Sequence, residues 1–170
     1  MYFQNSIDFF TIALFLGLMA YAAISDVAEY RIPNRINLAI AALYPAHVLA
    51  SPTAIDWIGA LLVAAVVLGV ATTLFSLRVM GGGDVKLMTA VSLWAGPSAI
   101  IEFSVVMALT GGLLAVFMLS PLRHGLALAL EKTGNQQARD AVLDKVLPYG
   151  LAIAAGGFVV AGRLLSAPQL

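Results

Sequence analysis

The chain has 170 residues, 61% hydrophobic and only 11% charged, with a formal net charge of zero and no cysteine. That composition excludes an ordinary soluble domain, a basic nucleic-acid-binding surface, and chemistry that needs a thiolate, a disulfide or Cys-ligated zinc. It predicts an all-α membrane protein embedded in a lipid bilayer, because an apolar helix of about 20 residues spans a hydrocarbon core of roughly 30 Å.

Residues 1–6 resemble a protease-tag remnant and carry no functional weight. Six apolar segments then follow, over residues 9–24, 36–50, 58–77, 85–95, 99–119 and 147–165. The first lacks a small-residue cleavage signature and further spans come after it, so it reads as a retained helix rather than a signal peptide. Breakers separate the segments: Ile32-Pro33-Asn34, Ser51-Pro52, Gly81-Gly82-Gly83, Gly96-Pro97 and Ser120-Pro121. With no soluble domain and no internal repeat, residues 1–170 read as a single transmembrane domain, a bundle of six helices.

The basic residues orient it. Arg31 and Arg35 lie in the first connection, Arg78 and Lys86 in the third, and Arg123, Lys132, Arg139 and Lys145 in the fifth, so eight of the nine fall on one side. By the positive-inside rule the odd-numbered connections are cytoplasmic and both termini face outward. Trp57 and Trp94 are then expected at the outer interface. The fourth segment is short. From Asp84 to Ser120 an all-helical chain covers roughly 55 Å, and two crossings need about 60 Å before any turn.

This topology brings Asp26, at the end of the first segment, and Asp84, at the start of the fourth, to one depth at the cytoplasmic side. Carboxylates at a bilayer rim are expensive and mark function by default. Each also has a plainer reading. Asp84 can cap a helix start, and Asp26 can pair with Arg31 or Arg35 as a solvated loop residue. Asp26, however, stands at a helix C-terminus, where the dipole disfavours a negative charge. Two carboxylates in one site share a proton, and such a pair can activate water for amide hydrolysis without metal or cofactor. The glycines before Asp84 permit unusual backbone angles and close approach. As a phosphate cradle they are incomplete, since no Lys-Ser/Thr follows and no strand precedes.

The other signals are structural. Gly111-Gly112 and the series Gly150, Ala154, Gly157, Ala161 suit close helix packing in lipid. Glu102 is interfacial, and His47 and His124 are lone histidines without metal-ligand spacing. In the connection over residues 121–146, a helix over 136–147 would carry Ala138, Ala141, Val142 and Val146 on one stripe, with Asn135 as its cap. It reads as a connecting interfacial helix, and a substrate gate is the alternative.

Three stretches resemble bacterial prepilin peptidases, which are GxGD-type intramembrane aspartic peptidases. Ser25-Asp26 through Arg31-Ile32-Pro33-Asn34-Arg35-Ile36 is similar to their first aspartate motif. Gly81-x-Gly83-Asp84-Val85-Lys86-Leu87 is similar to the GxGD motif, and residues 147–156, opening Leu147-Pro148-Tyr149-Gly150, to the last helix. The resemblance implies catalytic Asp26 and Asp84, supported by Gly81, Gly83, Lys86, Pro33, Asn34 and Pro148. It also implies a prepilin or pseudopilin substrate with a basic leader, cut at the cytoplasmic face of a bacterial inner membrane before its hydrophobic helix. The short first connection and the lack of Cys-x-x-Cys resemble the short form of tight-adherence (Flp-type) pilus systems, which puts methyltransferase activity in doubt. The rival from another class is a proton- or cation-coupled transporter using the same carboxylates. Substrate identity and oligomeric state are not legible.

Overall fold

In a computed structural model, which describes residues 2–51, 53–132, 134, 136–143 and 147–166, every regular element is an α-helix. The first, α1 (Tyr2–Glu29), buries Ile12, Phe15, Met19, Ala22 and Asp26. Steps of three and four residues keep these on one stripe of a helix. The stripe that packs the core therefore ends by turning Asp26 inward.

After α1 come α2 (Asn34–Ala50) and α3 (Trp57–Ser76), followed by the long α4 (Gly82–Leu119). Then α5 (Leu122–Lys132), α6 (Gln136–Leu143) and α7 (Tyr149–Ser166) complete the chain. Four of these helices are long and apolar enough to cross a membrane, and α4 is one of them. At 17 residues α2 is shorter, roughly 26 Å at 1.5 Å per residue.

The segments 85–95 and 99–119 are two arms of α4 that meet at Gly96, whose φ of 53° and ψ of −169° are not helical. Only glycine enters that region without strain, and Pro97 supplies no N–H to carry the ladder across. The first arm is buried nearly all round, through Val85, Leu87, Met88, Val91 and Trp94, as befits a central helix. The second arm buries Phe103 and exposes Ile101, Val105, Leu109 and Leu113. Gly96→Ala is expected to cost about 1–3 kcal/mol, read as a lowered thermal midpoint of the helical signal in detergent; an unchanged midpoint would show that the joint tolerates a side chain.

Small residues bring α7 against α1 and α4. Gly150, Ala154, Gly157 and Ala161 are all buried, the close-packing series expected in lipid. A Cβ at Gly157 would lie 2.7 Å from Met19 Sδ, and one at Gly156 2.7 Å from Phe103. Glu102 pairs with Arg163, tying the second arm of α4 to α7.

Two sequence expectations are corrected, and a third residue gains a partner. Trp94 is not a lipid-facing belt residue: it is 3% exposed, donates its indole N–H to Ile40 O at 2.9 Å, and stacks on Phe15 and His47. A buried indole needs an acceptor, and the neighbouring helix supplies one. Trp57 does stay exposed. His47 sits in the core, as a lone histidine can, but in a buried pair with Asp8 at 2.5 Å that the sequence did not suggest. The helix expected over 136–147 is described over Gln136–Leu143, does not include Leu147, and buries Val142 beside Met118 and Ala127. Its cap Asn135 and its stripe residue Val146 lie outside the described residues, as do the side chains of Ala138 and Ala141.

Candidate active site

Asp26 faces a local difficulty. It lies in the last turn of α1, at the negative end of that helix, and is 5% exposed. The start of α7 resolves it. Pro148 enters buried just before that helix, and the second helical residue, Gly150, donates its backbone N–H to Asp26 Oδ2 at 2.7 Å. The first N–H groups of a helix have no partner within it, and they stand at its positive end. The carboxylate thus exchanges a disfavoured helix end of its own for a favoured end of another.

The fit is tight. A Cβ at Gly150 would lie 2.8 Å from Asp26 Cγ and Oδ2 and 2.8 Å from Ile32 Cδ1. None of the ion pairs among the described residues includes Asp26 or Asp84. The plainer reading of Asp26, a pairing with Arg31 or Arg35, is therefore not what the structure has: a backbone donor meets the carboxylate instead.

Asp84 occupies the first turn of α4 and accepts from the N-cap Gly81 N–H at 3.2 Å, so its capping role is real. Gly81 itself has φ −74°, open to any residue, and the positive-φ glycines among the described residues are Gly96 and Gly134. Unusual backbone angles are thus not what the triplet supplies. Close approach is: a Cβ at Gly83 would sit 3.4 Å from Ile32 Cβ. Ile32, buried at 5% exposure, wedges between the starts of α4 and α7. Its role was missed because only the fold shows what it separates.

Side chains bolt the start of α2 to α4 and the first connection to α1. Lys86 Nζ donates to Asn34 Oδ1 at 2.9 Å, Asn37 Nδ2 donates to Gly83 O at 3.2 Å, and Ser25 Oγ donates to Arg31 O at 2.7 Å. Pro33 is the N-cap of α2, with φ −62° and ψ 134°. Lys86, Asn34, Gly81 and Gly83 therefore share a recess with Asp84, Pro33 caps the helix that Asn34 begins, and Pro148 stands two residues before the Gly150 that meets Asp26. Asn37 and Gly150 join them unannounced by any sequence signal for a site.

Asp26, Asp84, Tyr30 and Gly81 wall two cavities. One, of about 730 Å³, continues over Phe75, Val79, Met80, Leu147 and Tyr149. The other, of about 380 Å³, continues over Arg31, Asn34, the glycines and Lys86. The two carboxylates thus stand together in the walls of both recesses, the larger of mixed lining and the smaller mainly polar. Tyr30, just past α1, has φ 50°, a strained angle for a bulky residue that tends to mark a site. Burial, and then the Asp26 charge, push its phenol above the usual value, so it remains an O–H donor beside the pair. Among the described residues no group of three or more His, Asp or Glu could hold a metal ion.

No curated protein and no solved structure matches the chain. A family model described as the Type IV leader peptidase family matches residues 13–116, more than half of the chain, and the matched stretch contains both aspartates. This multi-pass membrane protein therefore belongs to the Type IV leader peptidase family, the aspartic prepilin peptidases.

Proposed function

We propose that Asp26 and Asp84 are the catalytic pair of this peptidase, and the single observation that carries the reading is that both carboxylates wall the same two recesses. One carboxyl is ionised and takes a proton from a water held between them. The resulting hydroxide attacks the carbonyl carbon of the leader junction, and the other carboxyl gives its proton to the carbonyl oxygen. Collapse of the diol then breaks the C–N bond, with a proton passing to the leaving amine. The products are a leader carboxylate and a new amino terminus.

The basic side chains Arg31, Arg78 and Lys86 stand around this end of the bundle. Their position supports a cytoplasmic site in a bacterial inner membrane. With the two arms of α4 counted as two crossings, the chain reads as six crossings with both termini outward, in a single domain over residues 1–170. The substrate is a prepilin, of the Flp type by the short first connection, and methyl transfer is not part of the activity. The connection between α4 and α7 joins these helices without gating the site. A proton- or cation-relay reading wants acids near the membrane midplane, whereas Asp26 and Asp84 stand at helix ends.

The test is incubation of the purified protein in membranes with a leader-bearing Flp-type prepilin, followed by sequencing of the product amino terminus. A single cut between leader and apolar helix is expected, with no methyl group added. Ion flux without any cut would overturn the reading.

A further inference from the structure

A short connection joins α2 and α3, yet the two helices barely touch; each rests on α4 instead. Between them runs a trough floored by the first arm of α4. Two cavities, of about 560 and 330 Å³, lie end to end along it and share Ala41, Leu61 and Leu93 as walls. Asn37, Ala41 and Val48 on α2, and Leu61 and Leu68 on α3, keep the spacing of a single helix face. Residues 34 to 48 rise roughly 21 Å along α2, most of a hydrocarbon core of roughly 30 Å.

The trough is not an isolated lipid-facing groove. Asn34 and Lys86 wall both its inner end and the polar recess that holds Asp26 and Asp84. At that end Asn37 donates its Nδ2 to Gly83 O at 3.2 Å, tying α2 to the first turn of α4 where the trough opens into the recess of the two carboxylates. A bulk acyl chain has no need of that opening. A segment that carries a peptide bond from the bilayer to the carboxylates does.

We propose that this trough seats the apolar helix of the leader-bearing precursor, between α2 and α3 and against α4. The helix N-terminus lies at the Asn34 and Lys86 end of the trough, and the preceding leader junction passes these two residues to the carboxylates. This rests on the catalytic reading above and adds to it where the membrane part of the substrate lies. It makes the site a ruler, because the cut falls where the docked helix begins.

The absence of cysteine lets single cysteines report without background. The precursor, first shown to be cut by the wild type, carries one cysteine walked along its apolar helix. The Asp84→Asn protein carries Leu61→Cys in the trough or Leu109→Cys on the exposed second arm of α4. Oxidation in membranes is expected to cross-link position 61 to precursor positions recurring every three or four residues, and to leave position 109 at background. Equal cross-linking from both, none from either, or capture at position 61 of a photoreactive lipid alone would overturn the trough. As a second arm, Ala41→Trp fills the trough and should raise KM for the precursor about tenfold with kcat little changed; an unchanged KM would also overturn it. If that variant does not fold, the cross-links decide. Undiminished cleavage by Asp84→Asn would instead sink the catalytic pair and leave the cross-link pattern standing.

Discussion

Asp26→Asn and Asp84→Asn are each expected to slow precursor cleavage about a thousandfold, within the range by which acid–base partners accelerate proton transfer. An amide in either place leaves the pair without a group to take the proton from water or without one to give a proton to the carbonyl oxygen. The folding cost is small for a stated reason. The Gly150 N–H at Asp26 and the Gly81 N–H at Asp84 need only an acceptor oxygen, and asparagine retains one. Single-turnover cleavage of a membrane-inserted precursor gives the rate, and the helical signal with its thermal midpoint checks the fold. Either variant cutting within about tenfold of wild type would refute the pair, since removal of an essential acid or base costs more than that.

Gly150→Ala should do nearly as much damage without touching a chemical group. Its new Cβ would fall 2.8 Å from Asp26 Cγ and Oδ2, inside any real carbon contact. Ile32 Cδ1, at the same distance, is the end of a flexible side chain and can yield. The carboxylate is held by α1 and by the Gly150 N–H itself, so it must shift or α7 must retreat. A displacement near 1 Å costs about a hundredfold in rate, measured as kcat with folding monitored in parallel. Gly162→Ala on the same helix is the control: open space surrounds it, and the change removes a helix-weakening glycine, a gain of up to about 1 kcal/mol. Equal activity in the two variants would show that Asp26 does not depend on the start of α7.

Much of the architecture was legible because the solvent dictates it. A chain with so few charges must satisfy its backbone within helices, and the breakers between apolar runs mark their ends. Asp26 and Asp84 stood out as candidates for the same reason, since a carboxylate at the end of an apolar run is conspicuous in so uncharged a chain. The GxGD and Ile-Pro-Asn resemblance named them independently, and the family match now covers both.

Other residues stayed hidden because their roles depend on partners remote in sequence. Asp8 and His47, 39 positions apart, show nothing in common until α1 and α2 pack. Trp94 has the composition of an interface anchor and was assigned one; the carbonyl of Ile40 and the rings of Phe15 and His47 make it a core residue. Gly150 reads as one more small residue in a packing series, and it is one, but its N–H reaches a carboxylate 124 positions away.

Helix-forming apolar runs, their breakers, the crowding of positive charge into alternate connections and the two conspicuous acids were determined by the amino-acid order alone, because each follows from local chemistry against a uniform apolar solvent. Which backbone donor meets Asp26, how Ile32 and Asn37 lock the start of α4, and that α2 and α3 stand apart above it were decided only by tertiary packing. Those are relations between surfaces, set by where small residues let helices approach and where they do not, and no single segment contains them.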